Sequence, residues 1–321
     1  MAAHDQHPIG SGFGFKTNAR EIVGDTDLAG RNYIVTGGYS GIGLETVRAL
    51  AGAGGHVTVP ARSRGKAEEA LADVAGQIAI ADMDLADIAS VRRFAADYAA
   101  TDRPLHGLIN NAGVMACPLT RVGPGWEYQF AVCHLGHFAL TIGLERSLKA
   151  ANGARVVALS SIGHARSDIL WDDPHFERHD CEKWTAYGQA KTADALFALG
   201  LDTRWQGAGV RAFSVHPGGI FTPLQRHLAE EEMVALGWKA ADGSIPPAVA
   251  ALFKTPEQGA ATSLWCALSP QLDGMGGLYC EDCDVAQLAG ADSPRWAHVQ
   301  PWACSDEGAA RLWEMTERML G

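Results

Sequence analysis

The sequence predicts an α/β protein: a single Rossmann-type doubly wound parallel sheet with helices on both faces. Short apolar runs alternate with longer segments whose apolar residues recur every three or four positions, which is the spacing of one helix face. The apolar runs show no alternation with polar residues, as expected of strands that are covered on both faces. Strands separated by helices in this way pair in parallel, so the two observations together indicate the fold class.

Seven apolar runs are predicted strands: 32–37, 56–61, 77–84, 106–113, 154–161, 210–218 and 276–282. Two stretches, 163–186 and 219–255, interrupt the alternation. Each follows a predicted strand, so each is expected at the carboxyl edge of the sheet, where open α/β sheets bind ligands. We expect one domain, 1–321, with an N-terminal arm at 1–27, a substrate lid at 219–255 and a C-terminal extension at 284–321.

The composition is that of an ordinary globular protein and gives no sign of a nucleic-acid or membrane partner. Of the 321 residues, 47% are hydrophobic and 20% charged, and a formal net charge of -11 offers no basic surface for phosphate backbones or anionic lipid. No apolar run reaches the length of a membrane span. The seven cysteines, an odd number spread along the chain, favour a reducing, cytoplasmic location over a disulfide framework.

The first predicted strand runs directly into TGGYSGIG (36–43), which opens a predicted helix. Gly37, Gly41 and Gly43 allow a tight turn, close approach of the backbone to a pyrophosphate and packing of the helix on the strand. The amides of the helix N-terminus face the anion. Because the glycines stand between a strand and a helix, the stretch predicts a dinucleotide site rather than a simple turn.

The end of the second strand favours NADP(H) over NAD(H). An NAD site usually places an acid there to hold the ribose 2′-hydroxyl, whereas an arginine suits a 2′-phosphate. Here Ala61 is followed by Arg62, with Arg64 and Lys66 close behind. A solvated helix start would explain Arg64 and Lys66, but it explains less well why no acid stands at 61.

Tyr187 and Lys191 are four residues apart on a predicted helix and therefore share one face, and Ser160 and Ser161 end an earlier strand. An ammonium beside a phenol favours the phenolate and lowers the phenol pKa towards working pH, which is how a tyrosine becomes a general acid or base. Taken alone, the pair would more often be an ordinary surface pair.

The order of the motifs adds specificity. TGGYSGIG is followed by Asp84-Leu85, NNAG (110–113), Ser160-Ser161, YGQAK (187–191) and HPGGIFT (216–222). From about Leu28 to Asp282 the chain resembles the short-chain dehydrogenase/reductase family. The insertion before Tyr187 resembles the branch that contains retinol-dehydrogenase-like and protochlorophyllide-reductase-like enzymes.

The resemblance implies a role for each matching residue. Tyr187 would exchange a proton with the substrate oxygen, Ser161 would hydrogen-bond that oxygen, and Lys191 would hold the nicotinamide ribose. The implied contacts to NADP(H) are Gly37, Tyr39, Ser40, Ile42, Arg62, Asp84, Leu85, Asn111, Ala112, Gly113, Tyr187, Lys191, Pro217, Gly218, Ile220 and Thr222. Dimers or tetramers are also implied.

The stretch YQFAVCHLGHFA (128–139) raises the alternative of a metal site. On a helix Cys133 and His137 share a face while His134 points about 100° away, and no fourth ligand is indicated. We therefore expect packed, hydrogen-bonded histidines, at a helix interface between subunits. Related enzymes commonly carry Asn in place of Cys133, where it orders a relay water; we expect Cys133 to be a tolerated substitute, neither metal ligand nor nucleophile.

Two further patterns carry expectations. Cys280 and Cys283 form a C-x-x-C without a second ligand pair, which favours reduced structural thiols over zinc. Trp171, Trp184 and Trp238 fall in the interrupting stretches and suggest a roomy apolar pocket.

Together these features predict an NADP(H)-dependent oxidoreductase. It would transfer hydride between the nicotinamide and a ketone, aldehyde or secondary alcohol of a hydrophobic, moderately sized substrate. Two alternatives stay open: reduction of a ring or carbon–carbon double bond, and a non-catalytic NADP(H)-sensing protein that has kept the fold.

Overall fold

In a computed structural model that describes residues 6–294 and 297–321, the chain forms one eight-stranded sheet flanked by helices. The strands are β1 (Asn32–Val35), β2 (His56–Ala61), β3 (Gln77–Asp82), β4 (Gly107–Asn110), β5 (Arg121–Val122), β6 (Trp126–Glu127), β7 (Ala154–Leu159), β8 (Val210–His216), β9 (Leu278–Glu281) and β10 (Asp284–Val285). β5 and β6 form a separate hairpin, and the sheet order is β10-β9-β8-β7-β4-β1-β2-β3. Its pairings are parallel except that of β9 with β10.

Helices cover both faces of the sheet. They are α1 (Ala19–Val23), α2 (Gly41–Gly52), α3 (Arg64–Leu71), α4 (Ile88–Ala99), α5 (Tyr128–Phe130), α6 (Gly136–Gly143), α7 (Glu145–Ala150), α8 (Lys183–Trp205), α9 (Glu230–Ala235), α10 (Pro247–Leu252), α11 (Pro256–Leu268) and α12 (Asp306–Leu320). A π-helical turn, Ala131–Leu135, joins α5 to α6. α2, α3 and α11 pack on one face, and α4, α6 and α8 pack on the other. No helix in the described part of the chain is both long and apolar enough to cross a membrane.

The predicted fold class is confirmed, and each of the seven predicted runs contains a strand. β5, β6 and β10 were not predicted, because two residues are too few to carry a pattern. α1, which lies within the predicted N-terminal arm (1–27), packs on α2 and α11.

Neighbouring residues of one strand pack in opposite layers, which explains the continuous apolar runs. Leu108 and Val156 belong to the core under α4, α6 and α8. Ile109 and Val157 belong to the core under α2 and α11. Successive strand side chains point to opposite faces, so a strand covered on both faces needs an apolar residue at every position.

The sheet order fixes where a ligand can bind. From β1 the chain builds outward through β2 and β3, then returns to place β4 on the other side of β1 and continues to β7 and β8. The loops after β1 and β4 therefore leave the sheet in opposite directions and open a crevice at its carboxyl edge.

The terminal helix corrects one expectation from the sequence. Ser305 caps α12 by accepting a hydrogen bond from Gly308 N at 3.0 Å. α12 packs on α8, and His134 Nε2 lies 2.7 Å from Thr316 Oγ1 of α12. His134 is thus buried inside one subunit, against the chain's own last helix, and not between subunits.

Candidate active site

A cleft of about 1160 Å³ occupies the crevice at the carboxyl edge of the sheet. It is lined by the loops after β1, β4, β7 and β8 and by the segment 219–255. Every catalytic or cofactor-binding residue that the family resemblance implies lines it. They are Gly37, Tyr39, Ser40, Ile42, Arg62, Asp84, Leu85, Asn111, Ala112, Gly113, Ser161, Tyr187, Lys191, Pro217, Gly218, Ile220 and Thr222.

The glycine loop leaves a cradle lined by backbone. Gly37 has a φ of +64°, and a Cβ added there would lie 3.1 Å from Asn111 Nδ2. A Cβ added at Gly43 would lie 2.4 Å from Gly37 O. The Ser40 side chain makes no capping hydrogen bond to α2, so the first amides of that helix stay available to an anion. This arrangement fits a pyrophosphate.

Thr36 ties the ends of β1 and β4 together beneath the cradle. Its hydroxyl oxygen accepts hydrogen bonds from the amides of Asn111 and Ala112, both at 2.9 Å. The Asn111 side chain donates to Thr36 O at 2.8 Å, and His137 Nε2 lies 2.9 Å from Thr36 Oγ1. Thr36 and His137 were not predicted as site residues, since their contribution depends on contacts between distant segments.

The arginines after β2 separate into two roles. Arg62 reaches into the cleft, where its Nη1 donates to the Tyr128 hydroxyl at 3.3 Å. Arg64 turns back to the sheet, with its Nε 3.2 Å from Asp82 Oδ1 and its Nη1 3.2 Å from Ile80 O. Of the two, Arg62 is therefore the one that faces a ligand in the cleft, which Lys66 of α3 also lines.

Tyr187 and Lys191 lie in the N-terminal half of α8 and face Ser161 at the end of β7. Tyr187 is 4% exposed. The Lys191 ammonium lies 5.7 Å from the centroid of the Tyr187 ring. It donates to Leu159 O at 2.6 Å and to Asp194 Oδ2 at 2.9 Å. The side chain is thereby fixed beside the phenol.

The electrostatics keep the phenol protonated when the cleft holds no ligand. Burial raises the pKa of Tyr187, while the Lys191 ammonium and a hydrogen bond with Ser161 lower it, and burial prevails. Ser161 Oγ also accepts from Gly163 N at 3.0 Å, which holds the hydroxyl at the start of the 3-10 helix Ile162–Arg166. A protonated phenol beside an oriented hydroxyl can donate to one ligand oxygen.

The sequence and the structure of this chain are similar to those of known proteins. The family model for the short chain dehydrogenases matches residues 31–172. A Streptomyces lividans protein named "Probable oxidoreductase" is 45% identical over 293 residues, which are 90% of this chain and 97% of that protein. Retinol dehydrogenase 12 of Mus musculus is 36% identical over 302 residues, 92% of this chain and 88% of the relative. An uncharacterised protein from Mycobacterium paratuberculosis has a similar crystal structure, with a TM-score of 0.71 and 29% identity over 93% of this chain and 96% of that one.

The chain belongs to the short-chain dehydrogenase/reductase family. It is an oxidoreductase of the retinol-dehydrogenase-like branch, and the resemblance inferred from its motifs is confirmed. The share of each chain that is covered shows that the likeness extends well beyond the glycine loop.

Cys133 lies in the π-helical turn that leads into α6 of this short-chain dehydrogenase. It is fully buried, and its thiol lies 3.7 Å from Val114 O. Its carbonyl accepts from His137 Nδ1 at 2.8 Å. Burial raises the pKa of Cys133 and lowers the pKa of His134 to about 3 and that of His137 to about 4. Each side chain thus has its own partner, and the histidines are packed and hydrogen-bonded as predicted.

The C-x-x-C thiols lie inside the protein. Cys280 and Cys283 are buried and free, and Cys283 Sγ lies 3.7 Å from Thr262 Oγ1. Burial raises the pKa of Cys283 to about 12, so this thiol is protonated at neutral pH.

Aromatic side chains build an apolar wall beside Tyr187. The rings of Trp184 and Trp238 meet edge to face at 6.1 Å, and Trp238 meets Phe253 at 6.0 Å. All three line the cleft, which confirms the pocket predicted from Trp184 and Trp238. The same prediction for Trp171 is wrong, because Trp171 packs outside the cleft under Arg311, with the guanidinium carbon 4.4 Å from its ring centroid.

Lys254 is a residue near the site that no sequence pattern indicated. Its side chain is 1% exposed and its ammonium lies 2.6 Å from Asp282 Oδ1. It also lies 5.0 Å from the centroid of the Phe15 ring, and Phe15 lines the cleft. A Cβ added at Gly218 would lie 2.8 Å from Lys254 Cδ, so Lys254 supports the loop after β8.

Proposed function

We propose that this protein is an NADP(H)-dependent carbonyl reductase or secondary-alcohol dehydrogenase. The observation that carries the proposal is the buried arrangement of Ser161, Tyr187 and Lys191 at the edge of a cleft with a pyrophosphate cradle. Tyr187 donates the proton to the carbonyl oxygen, and Ser161 hydrogen-bonds that oxygen. Lys191 holds the nicotinamide ribose and lowers the pKa of Tyr187.

The cofactor contacts divide by position in the cleft. When bound, the nicotinamide nucleotide supplies or accepts the hydride. Gly37, Tyr39, Ser40 and Ile42 hold its phosphates, and Asp84 with Leu85 meets the adenine. Asn111, Ala112 and Gly113 back the adenosine ribose, whereas the residues after β8 hold the nicotinamide end; these are Pro217, Gly218, Ile220 and Thr222.

NADP(H) is proposed because of Arg62. The strand end offers this cation to the cleft where an NAD site would place an acid, and the nearest arginine, Arg64, is engaged by Asp82. A guanidinium binds a phosphate with short, charge-assisted hydrogen bonds.

The substrate is proposed to be hydrophobic and of moderate size. Trp184, Trp238 and Phe253 form an apolar wall beside Tyr187. Residues of the segment 219–255 line the cleft, and we propose that this segment is the lid. A carbonyl compound that enters between these rings would place its oxygen near Ser161 and its apolar body against the indoles.

The test is turnover of NADPH and NADH with a panel of ketones, aldehydes and enones, measured for the wild type and Tyr187→Phe. Phe keeps the ring and its packing but removes the transferable proton. Carbonyl reduction should fall by about 10²–10⁴-fold, the usual value of general acid catalysis. Tyr98→Phe, which alters a buried tyrosine of α4 outside the cleft, is the matched control and should retain wild-type turnover. Turnover by Tyr187→Phe within about threefold of wild type would contradict the proposal.

A further inference from the structure

Asp194 is a buried carboxylate that lies behind Lys191, beside the cleft. It lies on α8, one turn after Lys191, and its Oδ2 is 2.9 Å from the Lys191 ammonium. The two side chains are only 6% and 5% exposed, so the pair is shielded from solvent. A charge pair in such surroundings acts on its neighbours much more strongly than one at the surface.

Lys191 lies between two oxygen-bearing side chains of its own helix. Tyr187, Lys191 and Asp194 follow at spacings of four and three, which places them on one face of α8. The ammonium is held by Asp194 on one side and by Leu159 O at the end of β7. These two contacts fix the ammonium beside the Tyr187 ring without using all three of its N–H donors.

The groups that face Tyr187 come from several elements. Lys191 and Asp194 lie on α8, Ser161 follows β7, Cys133 lies in the π-helical turn and Tyr279 lies on β9. Burial raises the pKa of Cys133 and that of Tyr279, so both are neutral near pH 7. Among these groups, those that carry a charge at alkaline pH are the Lys191 ammonium and the Asp194 carboxylate.

The two charges act on Tyr187 in opposite directions. The ammonium favours the phenolate, whereas the carboxylate disfavours it. Burial raises the pKa of Asp194 to about 7, with the ammonium working against that rise. At the alkaline pH where a buried phenol would ionise, the carboxylate is charged and opposes the loss of the proton.

We propose that Asp194 is a positioning residue that holds the Lys191 ammonium against the end of β7 and offsets its charge at Tyr187. This rests on the proposed function of Tyr187 as the proton donor. In reduction, bound NADPH would supply the hydride for the new C–H bond and become NADP⁺, while Tyr187 gives its proton to the carbonyl oxygen. This leaves a Tyr187 phenolate that takes up a proton from solvent. Oxidation requires the phenolate at the start. By keeping Tyr187 protonated, Asp194 extends the pH range of reduction upward.

The test is Asp194→Asn, which removes the charge but keeps an oxygen that can accept from Lys191. Two readouts are compared with wild type: the pH profiles of kcat/KM for reduction and oxidation, and the ultraviolet titration of tyrosinate in the cofactor-free protein, with Tyr187→Phe to assign the signal. Removing one nearby negative charge should lower the pKa of Tyr187 by about one unit, in the pH profiles as well as in the tyrosinate titration. Oxidation at neutral pH should then rise by up to about tenfold.

Asp202→Asn is the matched control. Asp202 lies on the same helix, is 1% exposed and pairs with Arg211 at 2.8 Å, so the same substitution breaks a comparable buried pair away from Tyr187. It should lower stability and leave the Tyr187 titration in place. If Asp194→Asn behaves in the same way, losing stability with no shift in either readout, Asp194 is merely structural and the proposal is overturned.

Lys191→Met gives a second measurement that does not depend on the folding of Asp194→Asn. At the alkaline pH where Tyr187 ionises, the Asp194 carboxylate stays charged in this variant and is no longer opposed, so the pKa of Tyr187 should rise. Adding Asp194→Asn to Lys191→Met should bring that pKa back down by about one unit, whereas a double variant that titrates like Lys191→Met would overturn the proposal. If the wild type reduces no carbonyl, the proposed function fails, yet the titrations still decide the role of Asp194.

Discussion

Arg62 and Arg64 show how far single residues can be interpreted from the sequence. Both follow β2, and the sequence favours Arg62 because no acid stands before it. The structure shows a further difference that no pattern contains: Arg64 bonds Asp82 of β3, a neighbour created by strand pairing. Of these two arginines, Arg62 lines the cleft and Arg64 does not.

Arg62→Ala should weaken NADPH binding by about 1.5–3 kcal/mol, the range for a charged hydrogen bond, and leave NADH binding nearly unchanged. The measurement is the dissociation constant of each cofactor by fluorescence titration. Arg64→Ala is the control, since its partners lie on β3, and it should affect the two cofactors equally. Equal losses for both cofactors in Arg62→Ala would show that Arg62 acts only through the fold.

Cys133 shows how a change of one residue type is absorbed by its surroundings. Its thiol lies near Val114 O, and its carbonyl is bonded by His137. The Lys191 ammonium beside it is held by Asp194 and Leu159. The position therefore needs no amide side chain to fix the lysine.

Cys133→Ala and Cys133→Asn should both retain turnover within about tenfold of wild type, because a thiol is a weak donor and acceptor and takes no part in the chemistry. Steady-state kinetics measure this, and cofactor titration confirms that each variant is folded. Chelators should have no effect. Loss of turnover in a Cys133→Ala protein that still binds NADPH would show that the thiol participates.

Among the elements, the segment 219–255 illustrates the limit of pattern-based prediction. Its place at the carboxyl edge could be predicted because it follows a strand. Its docking could not be predicted, since the polar contact between α9 and α8 is made by a carboxylate with no pattern around it. Glu232 accepts from Lys183 Nζ at 2.5 Å and from Trp184 Nε1 at 3.2 Å. The π-helical turn Ala131–Leu135 could not be predicted from the sequence either, because it differs from an α-helix in its hydrogen bonding and not in the spacing of its apolar residues.

Glu232→Gln should loosen the proposed lid. It removes the charge partner of Lys183 and weakens the bond to Trp184, whose ring forms the apolar wall. The side chains of Lys183 and Glu232 are about a third and a quarter exposed, so the ion pair should contribute only about 1 kcal/mol to holding α9 on α8. Its loss should appear as a severalfold rise in KM for bulky ketones. Glu230→Gln, whose partner Lys239 lies in the same segment, is the control. If neither KM nor the rate of proteolysis within 219–255 changes, Glu232 does not hold the proposed lid on α8.

At the scale of the whole molecule, the sheet was predictable because its strands are covered on both faces and so consist of continuous apolar runs. The attachments at its edge were not, because they join distant residues through single polar groups. Gln6 donates to the carbonyls of Tyr279 and Ala286, and Asp284 accepts from the amides of residues 9–11. These bonds tie the start of the described chain to β9 and β10.

Buried neutral histidines join the layers and make the fold sensitive to acid. His134 bonds α12, His137 bonds the end of β1, His164 accepts from Gln300 N, and His216 accepts from Ile162 N. Burial lowers their pKa values to about 3 for His134 and His216 and about 4 for His137 and His164. Each therefore stabilises the fold above the unfolded pKa of about 6.5, and this stability is lost as the pH falls towards 3–4.

Replacing one of these histidines should reduce the acid sensitivity by a calculable amount. At pH 5 the histidine is protonated in the unfolded chain, whereas His134 stays neutral in the folded protein. This difference lowers the free energy of unfolding by about 2 kcal/mol at pH 5 and by close to zero at pH 7. His134→Gln should be the less stable protein at pH 7, since it disturbs the bond to Thr316, but its deficit should shrink by about 2 kcal/mol at pH 5. Buried Glu281, whose pKa is raised to about 7, has the opposite pH dependence, but it is present in both proteins and cancels from the difference. Urea unfolding at the two pH values measures the deficit, with exposed His7→Gln as control; a deficit that stays constant would show that His134 is protonated in the folded state.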